Sequence, residues 1–236
     1  MLKRKALVIT VTILAMAAFN RVGDGQVKYQ WKLVKTNGGA SIYTSVVPGK
    51  EYIAAKCVDV INAPMDVIGV VLRDIPNFPA WMADCNSTKV LKVVSDEQDL
   101  FIFHLHQHVP LLKDRDVILK SHVILNYKKG WSYIGTKSTT EISYSPSNNL
   151  IRMPSFAGAW KLEWIDTNTT RATFMIDPDL GKGLPIAIAN STIRDIPYKS
   201  IQGMKKMVKQ ATYIDAAKKS KYRQMIDNAI KAGYLK

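Results

Sequence analysis

WKLEWIDTNTTRATFMIDPDLGKGLPIAIANSTIRDIPYKSIQGMKKMVKQA, residues 160–211, holds the passage from strand to helix that decides the fold. Trp160, Leu162 and Trp164 alternate with Lys161 and Glu163, the period of a strand with one packed and one wet face. A second strand is predicted over 172–177, and Gly181-Lys182-Gly183-Leu184-Pro185 then breaks the extended run. Beyond it Ile186, Ile193, Ile201, Met204 and Val208 fall on one helical stripe reaching Ala211, with a kink expected at Pro197. Neither a one-faced sheet nor an amphipathic helix hides its apolar side alone, so the helix must lie against the concave face of the sheet.

Upstream, the chain supplies the rest of that sheet. Residues 41–47 and 52–61 are rich in β-branched and aromatic residues and flank Pro48-Gly49, which reads as a hairpin. Asn62-Ala63-Pro64 opens a helix through Asp74, with Val67, Val70, Val71 and Asp74 at helical spacing and Pro76 as its stop. A short helical piece follows over 78–84. Strand patterns then recur over 90–94, 100–109, 117–127, 131–137 and 150–153, so the fold class is α+β with a large antiparallel sheet. With 236 residues, 47% of them hydrophobic, one domain of ordinary size is expected. Cys57 and Cys85 are the only cysteines; both lie among apolar residues, and a disulfide between them stays open.

The two ends differ in charge from the middle. Lys3, Arg4 and Lys5 precede an apolar run over 6–19, and Ala15-Met16-Ala17 places small residues at a cleavage spacing, so residues 1–17 read as a secretory signal peptide and 18–30 as a linker. Export is thus expected, to the periplasm in a bacterium or to the outside otherwise. About fourteen apolar residues at ~1.5 Å rise fall short of a ~30 Å bilayer core. Loss of Lys3, Arg4 and Lys5 lowers the formal charge of +14 by only three, which favours anionic partners. Export points to a membrane surface rather than nucleic acid. From Lys199 to Lys236 ten basic residues face only Asp215 and Asp227, so residues 215–236 form a basic helical tail suited to anionic lipid.

Catalytic signatures are missing from the sequence: there is no GxSxG or HExxH, and Gly181-Lys182-Gly183 lacks the spacing of a phosphate loop. No cofactor or metal is implied, and an enzyme is not expected. His104, His106 and His108 share one strand face, while Phe101, Phe103, Leu105 and Val109 take the other, so the histidines are expected to point to solvent. Arg115 falls in register with Val117, Leu119, Ser121 and Val123. If that face is inward, its permanently charged guanidinium needs an acidic partner, Asp114 or Asp116, or a ligand head group.

Over residues 31–214 the chain resembles the START family of lipid-transfer proteins, a helix-grip fold. The matching pieces are Ile42-Tyr43-Thr44, Asn62-Ala63-Pro64, Trp81 with Cys85, Pro110 through Arg115-Asp116, Ala157-Gly158-Ala159-Trp160 and Gly183-Leu184-Pro185, in that order. The resemblance, to the phosphatidylcholine-transfer branch or a bacterial relative, implies a hydrophobic cavity that binds and transfers one phospholipid, fatty acid or sterol. It places Arg115 at the lipid phosphate. The acid and arginine of sterol-binding members fall on Leu105 and Ser121, a departure that weakens a sterol reading. Cavity walls are expected from Phe103, Leu105, Leu119, Ser121, Trp160, Trp164, Phe174 and Met204, and a gate from Ile142, Tyr144 and Pro146 in the loop over 139–149. A monomer is expected. The alternative is a helix-grip cyclase or hydrolase acting on an aromatic or polyketide-like substrate in the same cavity.

Overall fold

The computed structural model describes residues 29–96, 98–109, 113–145 and 150–236. The expected signal peptide at 1–17, nearly all of the linker, and Pro146 lie outside these residues. Among the described residues, ten strands form one sheet: β1 (Lys32–Asn37), β2 (Ala40–Ser45), β3 (Ala54–Ile61), β4 (Cys85–Ser95), β5 (Leu100–Gln107), β6 (Arg115–Asn126), β7 (Trp131–Ser138), β8 (Ile151–Arg152), β9 (Ser155–Asp166) and β10 (Thr169–Asp179). Their order is β1-β2-β3-β10-β9-β7-β6-β5-β4. Neighbours along this path are antiparallel, and β8 pairs in parallel with the start of β6. Among the described residues the helices are α1 (Met65–Arg73), α2 (Ile186–Met207), α3 (Ala211–Lys218) and α4 (Lys221–Lys231), with 3-10 segments at Ile75–Ala80 and Tyr127–Lys129.

The concave face is set by the alternation seen in sequence. Trp160 stands opposite Phe174 and Leu162 opposite Ala172 in the β9–β10 register, and all four are buried in the main core. The other face is not uniformly wet as expected. Lys161 is buried there and bound to Glu163 at 2.8 Å, beside a smaller apolar cluster of Tyr29, Val47, Ala54, Tyr133, Ala159 and Met175.

Helix α2 lies on the concave side with Ile193, Ile196, Ile201, Met204 and Met207 buried, each side chain worth about 1.5–3 kcal/mol when fully removed from water. It runs unbroken past Pro197 and ends at Met207 rather than Ala211. Gly203 permits its close approach: a Cβ there would stand 2.1 Å from the Trp81 carbonyl oxygen. Sequence 215–236 is not a separate tail. α3 and α4 fold back on α1, burying Tyr213, Ala217, Tyr222, Ile226 and Ala229, and Tyr213 donates to Asp74 at 2.8 Å while Arg223 pairs with Asp66 at 2.8 Å. Cys57 and Cys85 are free and buried, and burial pushes both thiols up to about 12.

Candidate functional site

Between the sheet and the helices lies a cavity with about 890 Å³ of space free of protein atoms, its mouth included. The sheet contributes Phe101, Phe103 and Leu105 from β5, Leu119, Ser121, Val123 and Leu125 from β6, Ile134 and Thr136 from β7, Phe156 and Trp160 from β9, and Phe174 from β10. Met65, Gly69, Leu72 and Arg73 of α1, Phe78, and Tyr222 of α4 close the other side. Aromatic contacts fix these walls: Trp160 stacks on Phe174 at 4.5 Å between centroids, and Phe78 meets Phe103 edge-on at 6.1 Å. A smaller space beyond Leu105, Phe156 and Phe174 reaches Ile176 and Ile196, so the interior continues toward α2.

One end of this apolar space is polar. Asp99, at the β4–β5 hairpin with φ of 53°, receives the Arg73 guanidinium, the Lys221 ammonium at 3.0 Å and the Tyr222 hydroxyl at 2.8 Å. Burial pushes the Tyr222 phenol up to about 12 and the Tyr127 phenol well above its ordinary range, so both stay neutral. The Tyr222 ring lies over Gly69, where a Cβ would stand 3.4 Å from it at ordinary contact distance.

Six residues expected as walls line the cavity: Phe103, Leu105, Leu119, Ser121, Trp160 and Phe174. Ser121 is also committed locally, accepting from the Phe101 amide at 2.8 Å and donating to the Asp99 carbonyl at 2.9 Å. Met204 is buried in the core outside the lining, and the Trp164 indole points to the Lys236 carbonyl at 3.1 Å. Arg115 is buried as anticipated, yet it is not a lining residue. Its guanidinium donates to the carbonyls of Lys113, Leu180 at 3.2 Å and Lys182 at 3.3 Å, clamping the turn that leads into α2.

The histidine expectation needs correction at His104. It is buried on the outer face, with Nε2 3.0 Å from Asp116 and its ring 4.9 Å from that of Tyr144, and desolvation lowers its pKa despite the carboxylate. Tyr144 crosses that outer face because Arg152 holds its carbonyl at 2.8 Å while pairing with Asp116 at 2.7 Å. Tyr144, expected in a gate, therefore packs on the side of β5 opposite Phe103 and Leu105. Ile142 is half-buried in the same segment. Arg73, Asp99 and Tyr222 were not anticipated: they come from a helix end, a hairpin tip and the basic tail, and no local pattern links them.

A curved antiparallel sheet gripping a long C-terminal helix around such a cavity is the START helix-grip fold. The STAR-related lipid transfer protein of Xanthomonas axonopodis superposes with a TM-score of 0.66 at 22% identity, covering 76% of this chain and 99% of that one. Human STARD10 gives 0.68 at 18% identity, covering 81% of this chain and 82% of its own. By sequence, an uncharacterized protein of Pseudomonas aeruginosa is 26% identical over 198 residues, 84% of this chain and 96% of that protein. No protein-family model matches the chain.

Proposed function

We propose that the protein binds one hydrophobic ligand, a lipid or lipid-like amphiphile, in this cavity and carries it between membranes after export, docking as a monomer on anionic surfaces. The observation that carries the reading is the apolar cavity itself, enclosed by the fold that the Xanthomonas lipid transfer protein shares. Moving a chain of about fifteen carbons through water costs on the order of 12 kcal/mol, and a closed apolar cavity removes most of that barrier. The rival cyclase or hydrolase needs an acid and a base facing the substrate. Among the described lining residues the titratable side chains are Arg73, Asp99, Tyr127 and Tyr222, and the two phenols are held neutral. Preference for phosphatidylcholine would rest on Arg115, whose donors are taken by main-chain carbonyls, so no such preference is proposed.

Organic extraction of the purified protein, followed by mass spectrometry, should recover a stoichiometric lipid, and loaded protein should deliver labelled lipid from donor to acceptor vesicles. Protein that emerges empty and exchanges nothing would overturn the carrier reading. N-terminal sequencing should find the mature chain beginning near Ala18.

A further inference from the structure

We infer that the smaller space beyond Leu105, Phe156 and Phe174 receives the polar group of a neutral amphiphile, an uncharged hydroxyl or ester carbonyl oxygen that accepts from the Gln107 carboxamide, with the hydrocarbon running back along β5 past Phe103 into the main cavity. This rests on the carrier reading and adds to it the charge and chemistry of the ligand and the direction in which it lies.

The inward face of β5 carries Phe101, Phe103 and Leu105 and then, two residues on, Gln107, so the period of two puts a carboxamide at the end of an otherwise apolar row. Gln107 is 8% exposed and lines the smaller space. Its cross-strand neighbours on β4 and β6 are Cys85 and Arg115, and neither serves it. The Cys85 thiol turns to the Ser87 carbonyl at 4.0 Å, and the Arg115 guanidinium directs its donors to the carbonyls of Lys113, Leu180 and Lys182. Among the described residues the Gln107 carboxamide has no hydrogen-bond partner. A polar group taken out of water without a partner is a standing cost to the fold, and a ligand oxygen that accepts from it recovers that cost on binding.

Charge points the same way. Among the described residues, Arg73 and Asp99 are the charged side chains lining the main cavity, and they are paired with each other. Arg73 also holds Asp96, and Asp99 also holds Lys221 at 3.0 Å, so an anionic head would have to displace a carboxylate and a cationic head a guanidinium or ammonium. The smaller space has no charged side chain among its described lining, and burial keeps the Cys85 thiol neutral by pushing it up to about 12. A carboxamide does not titrate. It offers two N–H donors and one carbonyl acceptor, which a hydroxyl can engage on both sides and an ester carbonyl on the donor side. The two spaces share Met82, Leu105, Phe156 and Phe174 as walls, so a hydrocarbon chain passes from one to the other without leaving apolar surface. The ligand then lies with its head beneath α2 and its chain toward α1 and α4.

Decanol, methyl decanoate and decane share a ten-carbon chain and test this by displacing the apolar dye diphenylhexatriene from wild-type protein and from Gln107→Met, which keeps the length of the side chain and removes its hydrogen bonds. The substitution should weaken decanol, methyl decanoate or both about fivefold and leave decane within about twofold, the loss of one neutral hydrogen bond. A loss for decanol alone identifies a hydroxyl head, and a loss for the ester a carbonyl. Because the carboxamide has no protein partner, empty Gln107→Met should melt no lower than wild type. Should the variant fail to fold, nitrogen-15 spectra of the wild-type protein carry the test: the Gln107 side-chain amide signals should move with an oxygenated probe and stay in place with decane. Affinities for all three probes that are unchanged or fall in parallel, or amide signals indifferent to both oxygenated probes, would overturn the Gln107 site and leave the cavity reading intact. Wild-type protein that binds none of the three would overturn both.

Discussion

Arg115 shows how far burial alone determines what a charged residue does. A guanidinium does not give up its proton in a protein, so the inward register of β6 obliges the surroundings to satisfy its donors, and here the carbonyls of Lys113, Leu180 and Lys182 do so. The Leu180 and Lys182 carbonyls lie in the passage from β10 into α2 and that of Lys113 just ahead of β6, so the side chain ties this passage to the start of β6. Arg115→Leu is expected to leave three acceptors unpaired and to cost about 3 kcal/mol or more, seen as a lower urea midpoint. Arg115→Lys should recover only part, because an ammonium on a shorter reach cannot span the same fork. An unchanged midpoint in Arg115→Leu would show that water already serves these carbonyls. The inward position was legible from period two along Val117, Leu119 and Ser121, but the Leu180 and Lys182 partners were not, since they lie 65 and 67 residues away in a turn whose only signal was glycine and proline.

At the level of elements, α2 and the strands from β2 onward could be read because their apolar residues recur at periods of about 3.6 and of two, whereas β1, exposed at every residue, could not. Helix α4 was read as part of a basic tail suited to anionic lipid, on the strength of residues such as Lys221, Arg223 and Lys231, although Tyr222, Ile226 and Ala229 keep the spacing of a buried stripe. Its Tyr222 closes the cavity, and its C-terminal extension buries Leu235 and brings the Lys236 carbonyl to Trp164. Ending the chain after Ile214 therefore removes a wall as well as charge. With Tyr222, Ile226 and Leu235 each worth about 1.5–3 kcal/mol of burial, less what the unfolded chain already hides, the truncated protein should melt roughly 10 °C or more lower. A truncated protein that melts with the full chain would mean that α4 contributes nothing to closing the core. The hairpin tip carrying Asp99 went unread because a helix 123 residues away positions it, and Tyr144, read as part of a gate, is instead held across the outer face by Arg152.

Because truncation changes the cavity, the electrostatics of the whole molecule must be tested on residues that pack against nothing. Of the ten basic residues between Lys199 and Lys236, Lys205 pairs with Asp59, Lys221 with Asp99 and Arg223 with Asp66, and these serve the fold. Lys206, Lys209 and Lys219 are exposed, and Lys218 is exposed with only the exposed Asp215 as its ion-pair partner. Lys206 lies in the last turn of α2, Lys209 just beyond it, and Lys218 and Lys219 at the end of α3, so all four precede α4. Each basic residue near an anionic membrane adds about 1 kcal/mol, over a Debye length of ~8 Å at physiological salt. Replacing all four lysines by glutamate should therefore weaken binding to phosphatidylserine-containing vesicles by about 10³-fold or more at low salt, with the melting temperature within a few degrees of wild type. Wild-type binding should fall steeply as salt rises and should be weak on neutral vesicles. Equal binding of the two proteins, or indifference to salt, would place the docking surface elsewhere, with the exposed Ile186 and Ile188 at the start of α2 as the apolar alternative.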